Sequence, residues 1–270
     1  MQLLHCKLEL TDCTPMTWNP EQYLKFVQPR LRPALDLLAR VATTQPRTVY
    51  DLGCGTGNIT RVLAECWPDA QVTGIDDSAE MLAQAAQHPG SIRWVQQSLA
   101  SWAPDAVADV IYSNAALHWL PKHESLFPDL VEKLAPAGIL AVQMPRNFLA
   151  PSHTAIHDTV LAGAWRSKLE PLIRPPPVAA PQFYYSLLQT RAAALDIWET
   201  EYLHVLTGKD AVKEWTKGTW LKQFLELLDE PERSDFEAEY AHRVGSAYPA
   251  LDTGQTLFPF RRLFIVLQKK

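Results

Sequence analysis

The segment Asp51-Leu52-Gly53-Cys54-Gly55-Thr56-Gly57 constrains the fold of this chain more than any other. It follows an apolar run over 48–52 and leads into a helical stretch from Ile59. Three glycines at alternate positions let the backbone turn sharply and approach a ligand more closely than any Cβ allows. The pattern predicts a strand, a ligand-cradling turn and a helix. Further short apolar or β-branched runs at 71–75, 92–95, 110–113 and 139–143 alternate with helical stretches from Ala79 and Ser125. Such alternation is the signature of a parallel sheet with right-handed crossovers.

Asp76 closes the second run, with Asp77 beside it, at about the 20-residue spacing at which an acidic side chain accepts ribose hydroxyls in dinucleotide folds. A dinucleotide, however, calls for G-x-G-x-x-G, and here the glycines stand at 53, 55 and 57 with Asn58 following. A carboxylate at Asp51 would repel a pyrophosphate and favours a cationic ligand. S-adenosylmethionine, with its sulfonium and amino groups, fits this loop better.

The remaining chain is organised around that unit. Residues 1–15 lack periodicity and read as a loose arm or upstream-start extension, leaving 16–270 as one domain with its cofactor-binding core at about 46–145. Residues 18–41 predict two helices broken near Pro29 to Pro33. Beyond Pro145, Pro175-Pro176-Pro177 and the cluster Phe183-Tyr184-Tyr185 read as a linker or lid. Two last strands are expected at 194–206 and 258–268, separated by a helical insertion at 210–247. The cover over the acceptor is therefore expected at about 146–190 and 208–250.

A net charge of -5 gives no general attraction to nucleic acid or anionic membranes. No run of about 18 apolar residues is present for a membrane span. The four cysteines form no C-x-x-C or His-Cys cluster, so neither a metal site nor a disulfide framework is expected, as suits the cytoplasm. No partner protein is evident.

The glycine loop, Gly74-Ile75-Asp76 and Asp109-Val110-Ile111-Tyr112-Ser113-Asn114-Ala115 together resemble the class I S-adenosylmethionine-dependent methyltransferases over roughly 46–145. Within that class the chain is similar to the trans-aconitate 2-methyltransferase family. The similarity rests on Trp18-Asn19-Pro20 with Tyr23-Leu24, Trp119-Leu120-Pro121, Leu126-Phe127-Pro128, Val142-Gln143-Met144-Pro145, Asn147, Asp196-Ile197-Trp198, Trp215 and Arg262-Leu263-Phe264-Ile265-Val266. It implies an α/β, Rossmann-like, seven-stranded, mostly parallel sheet with helices on both faces and a helical insertion or lid near the C-terminus. It also implies methyl-ester formation on a carboxylate of a small polycarboxylic acid. Three positions depart from the family pattern: Ser98 stands where an acid is expected near the adenine, His118 replaces a glutamine, and Trp220-Leu221-Lys222-Gln223 replaces an arginine-containing run.

The candidate cofactor residues are Asp51, Gly53, Gly55, Gly57, Asn58, Asp76, Asp77, Met81, Ser98, Leu99, Asn114, Ala115 and Trp119. Trp18, Tyr23, Arg146, Tyr184, Tyr185, Lys222 and Arg262 are the candidates for holding the acceptor. Arginine offers a fork that matches a carboxylate, lysine only a point charge. Because strand residues alternate faces, one of Arg261 and Arg262 should face solvent and the other, taken as Arg262, the pocket. His118 is the candidate catalytic base, with a packed or capping histidine as the alternative. A carboxylate acceptor needs no base, whereas a phenol, an amine or a carrier-bound malonyl group as acceptor would restore that role or change the substrate. A nicotinamide enzyme and a binding-only relative are the other readings, the first opposed by the glycine spacing.

Overall fold

Strands that are covered on both faces read as largely apolar runs, and four such runs lie side by side here, with a shorter and more exposed fifth at their edge. The computed structural model describes residues 31–43, 45–87 and 90–270. Its strands are β1 (Thr48–Leu52), β2 (Gln71–Asp76), β3 (Arg93–Gln96), β4 (Ala108–Asn114), β5 (Leu134–Pro145), β6 (Ala192–Thr207) and β7 (Gln255–Lys269). They form one sheet in the order β3-β2-β1-β4-β5-β7-β6. The first five strands are parallel, and β7 runs antiparallel to both β5 and β6. All seven expected strands are present. Trp18, Tyr23 and the suspected extension at 1–15 lie outside the described residues.

The helices are α1 (Arg32–Leu38), α2 (Asn58–Cys66), α3 (Ala79–Ala85), α4 (His123–Glu132), α5 (Pro151–Ala162), α6 (Arg166–Leu169), α7 (Pro181–Leu188), α8 (Ala211–Lys217), α9 (Lys222–Leu225) and α10 (Glu232–Ala247). None of the described helices is long and apolar enough to cross a membrane. Alternation along the strands separates two cores. Tyr50, Leu52, Ile111, Leu140, Val142, Leu263 and Ile265 pack with Phe127 and Val131 of α4 and Tyr184 and Leu188 of α7. On the other face, Val49, Val110, Tyr112, Ala141 and Phe264 pack with Leu35 and Leu37 of α1 and Val62 and Leu63 of α2.

The insertion between β6 and β7 leaves the sheet at Thr207 and returns at Gln255, two residues paired in register, so it adds a unit without disturbing the ladder. Its helices α8 to α10 build a third core with α5 and the start of β7, centred on Phe224, Phe236, Tyr240 and Phe258.

The aromatic cluster Phe183-Tyr184-Tyr185 departs from the expected linker. Pro181 occupies the first turn of α7, where its fixed φ and missing N–H cost nothing. Tyr184 and Leu188, four residues apart, then turn a common stripe into the core.

Candidate active site

The β1–α2 turn uses its glycines for different reasons. At Gly53 (φ 76°) a Cβ would lie 2.2 Å from the Cβ of Ala116, so packing of the turn against the segment after β4 demands glycine. At Gly55 (φ 54°) a Cβ would meet no protein atom within 4 Å, which leaves a backbone cradle facing open space. Gly57, also left-handed, caps the start of α2.

Two acids brace this turn. Asp76 accepts the Gly55 N–H on Oδ2 at 2.8 Å and the Ser78 N–H on Oδ1 at 3.0 Å. Asp51 is buried, and its Oδ2 accepts the Thr60 hydroxyl at 2.6 Å while Oδ1 has no partner. Burial pushes the Asp51 carboxyl up to about 7; the Thr60 bond opposes that rise and the nearby Asp76 charge adds to it. A carboxylate so placed gains most from an incoming cation. Cys54, by contrast, is inert, because burial and then the charges of Asp51 and Asp76 push its thiol far up.

Around the turn, Asn58 is exposed and donates to Thr56 Oγ1 at 3.2 Å. Asp77 and Met81 are exposed beside the first turn of α3, and the Met81 N–H is held by Ser78 Oγ. Ser98 caps a 3-10 turn over Leu99–Ser101, with the Leu99 side chain lying close to Gly53. Asn114 ends β4 with its Oδ1 buried and unpartnered. Ala115 follows at φ 55°, a left-handed conformation uncommon outside glycine and frequent at functional sites.

Strand alternation and register place Asp51, Asn114, Gln143 and Arg262 on one face of the sheet, the face that α1 and α2 cover. Acceptor oxygens stand on β1 and β4. At the β5–β7 end, the buried Arg262 donates Nη1–H to Gln143 Oε1 at 3.2 Å, and its guanidinium lies 4.8 Å from the Phe260 ring centre. The neighbouring Arg261 instead pairs with Glu201 at the surface, as strand alternation requires.

A profile for a methyltransferase domain matches residues 49–138. The trans-aconitate 2-methyltransferase of Azoarcus sp. (strain BH72) is 45% identical over 250 residues, covering 93% of this chain and 98% of the relative. That of Klebsiella pneumoniae (strain 342) is 44% identical over 256 residues, with coverages of 93% and 98%. The chain belongs to the trans-aconitate 2-methyltransferase family. A solved structure of Haemonchus contortus phosphoethanolamine N-methyltransferase 2 in complex with S-adenosyl-L-methionine has the same fold. It superposes with a TM-score of 0.51 at 14% identity, over 88% of this chain and 53% of that one.

The residues present fit the cofactor of such a methyltransferase. The open cradle at Gly55 admits a ligand to the backbone, and the orphaned Asp51 Oδ1 is the complement of a cation.

For a trans-aconitate 2-methyltransferase family member, the remaining sequence candidates divide sharply. His118 is buried against Trp119 and Phe148, at ring-centre distances of 4.7 and 6.3 Å. Burial, then the charge of Arg262, then His123 and His153 lower it to about 3, so it stays neutral at working pH and is a poor proton acceptor. That argues against the base role. Trp119 is exposed and stacks on Trp220 at 5.4 Å, and Trp220 meets the Phe148 ring edge-on at 4.9 Å.

The expected acceptor contacts Tyr184, Tyr185, Lys222 and Arg146 have the following surroundings. Tyr184 is wholly buried, with its hydroxyl 2.7 Å from His123 Nδ1 and accepting the Ala179 N–H, so its polar end is used up inside the α4–α7 interface. Tyr185, the next residue on α7 and about 100° further round it, is exposed. Lys222 extends into solvent and pairs with Glu226 one turn on, a contact that ties it to its own helix. Arg146 is already engaged, by Glu199 at 2.6 Å and the Ala179 carbonyl at 3.1 Å, on the wall of a cleft of about 480 Å3.

Thr60, Gln143 and Trp220 escaped sequence reasoning as site residues. Gln143 carried the clearest available signal, a lone amide within the apolar run that forms β5.

Proposed function

We propose that this chain transfers a methyl group from S-adenosylmethionine to a carboxylate of a small polycarboxylic acid, with trans-aconitate the first candidate, giving a methyl ester. The order of charge along one sheet face carries this reading. Unpartnered acceptor oxygens of Asp51 and Asn114 stand at the end suited to a cationic cofactor, and the Arg262 guanidinium stands at the end suited to an anionic acceptor. Two relatives above 40% identity along nearly the whole chain bear the corresponding name.

S-adenosylmethionine, when bound, supplies the electrophilic methyl group. The chain's part is to hold and to align. Asp76 fixes the turn through the Gly55 N–H and offers its carboxylate to ribose hydroxyls, while Gly53 and Gly55 admit the cofactor to the backbone. Met81, Ser98 and Leu99 flank the same end, and Trp119, stacked on Trp220, stands on the acceptor side. Arg262 binds a carboxylate of the acid so that another faces the methyl donor. A carboxyl with a pKa near ~4 is already ionised at neutral pH, so no base is required, in keeping with a His118 that remains neutral. Alignment of the reacting atoms in a dry site supplies on the order of 7–11 kcal/mol. The segments 146–190 and 208–250, through Phe148 and Trp220, cover the acceptor side and exclude water. We place the reaction in the cytoplasm on a free small molecule, without nucleic acid, in keeping with the net charge of -5.

Purified protein incubated with S-adenosylmethionine and trans-aconitate, other polycarboxylates, or phenolic and carrier-bound acceptors decides the matter by mass spectrometry. A trans-aconitate methyl ester is expected. Transfer only to a phenolic or carrier-bound acceptor overturns the substrate, and failure of any transfer overturns the activity.

A further inference from the structure

Gln143 is wholly buried on β5, flanked in sequence by the core residues Val142 and Met144. An amide in such a place is costly unless both of its ends are paired. Only one end is. Oε1 accepts Nη1–H of Arg262, while Nε2 is buried with no partner. A guanidinium has only hydrogens to offer, so its contact fixes which end of the amide is oxygen and leaves the nitrogen as the orphan.

The neighbour across the β4–β5 register is Asn114, and its Oδ1 is orphaned too. A donor and an acceptor on adjacent strands of one face thus stand unjoined, although pairing would relieve both. Two such groups kept apart are matched to something that enters between them. Asn114 stands on β4, next to β1 and its cofactor turn, and Gln143 stands on β5, next to β7 and Arg262.

We propose that Gln143 is a specificity-determining residue, its Nε2 donating to an acceptor carboxylate oxygen while its Oε1 orients the Arg262 fork toward the same acid. This rests on the acceptor being a carboxylate, as argued above. The amide and the guanidinium then form a pair of donors on adjacent strands β5 and β7, set for an anion. An acceptor without a carboxylate in that position leaves the Gln143 donor buried and unpaired, which is the usual source of strong discrimination.

Two variants separate the ends of the side chain. Gln143→Glu keeps an oxygen for Arg262 and replaces the donor by a second oxygen; Gln143→Met removes both polar ends at similar length. For each, KM and kcat with trans-aconitate are measured together with the affinity for S-adenosylhomocysteine by calorimetry. The expected KM rises about ten- to hundred-fold in Gln143→Met and further in Gln143→Glu, with S-adenosylhomocysteine affinity within about two-fold of wild type. An unchanged KM in either variant that still binds S-adenosylhomocysteine overturns the inference, as does a parallel loss of both affinities, which marks a merely structural amide. Wild-type protein that esterifies no polycarboxylate removes the proposed reaction and this inference with it, whereas esterification by wild type with unchanged KM in the variants removes the inference alone.

Discussion

Asp51→Asn isolates the electrostatics of the cofactor turn. In the folded chain burial raises the Asp51 carboxyl to about 7, against about 4 in the unfolded chain. The fold therefore holds this proton more tightly than the unfolded chain does. The resulting penalty on stability is absent below pH 4, grows as pH rises, and is complete above pH 7. Between pH 5 and pH 8 the two titrations give a loss of roughly 2–3 kcal/mol. Asparagine stays neutral throughout and keeps an oxygen for the Thr60 hydroxyl. Urea unfolding of ligand-free wild type and Asp51→Asn at both pH values should show the variant's stability advantage growing by roughly that 2–3 kcal/mol from pH 5 to pH 8. Cofactor affinity runs the other way. Wild type should bind S-adenosylmethionine more weakly as pH falls through 7, and the variant should bind weakly at every pH in that range. A stability difference that does not change with pH would refute the assignment of a buried, raised carboxyl at position 51.

The other predictions concern the turn and the clamp. Gly55→Val should abolish cofactor binding measured by calorimetry while the protein still folds, since the new side chain enters the open cradle; Gly53→Ala should instead lower the melting temperature of the ligand-free protein, because its Cβ meets Ala116. Tight cofactor binding by Gly55→Val contradicts the cradle. Asp76→Ala should weaken the cofactor by roughly 1–3 kcal/mol through loss of charge-assisted hydrogen bonds, and unchanged affinity would sink the ribose assignment. Arg262→Ala should raise KM for trans-aconitate about tenfold or more with cofactor affinity preserved, and an unaltered KM leaves no clamp at that position.

The sheet was legible because its inner parallel strands β1, β2, β4 and β5 are largely buried on both faces, so each carries a mostly apolar run, while the short edge strand β3 showed only Trp94-Val95. The glycine turn was legible because its backbone conformations forbid most other residues. The acceptor side was harder. Arg262 could be chosen over Arg261 by strand alternation alone, but Tyr184 and Lys222 sit on helices whose orientation no local pattern announces. Tyr184 lies on the core stripe of α7, which Pro175-Pro176-Pro177 disguised as the end of ordered structure. Lys222 lies on a single turn, where four residues cannot define an amphipathic face. His118 looked like a titrating group because its burial beside Phe148 and the charge of Arg262 comes from distant parts of the chain. Gln143 was hidden for the same reason: a lone amide in an apolar strand acquires meaning only when β7 brings Arg262 beside it.

The position of β7 between β5 and the edge strand β6 has a consequence for how the molecule is made. During synthesis, β1 to β5 emerge first, and with them the whole cofactor turn and Asn114. The edge of β5, an apolar strand with its amide groups unpaired, then waits through the entire β6 segment and the helical insertion before β7 docks against it. Open edges of this kind are templates for wrong pairing between chains. The nascent protein is thus most prone to aggregation just when its cofactor half is already complete, and S-adenosylmethionine bound at that stage would stabilise a half-built sheet awaiting its last partner.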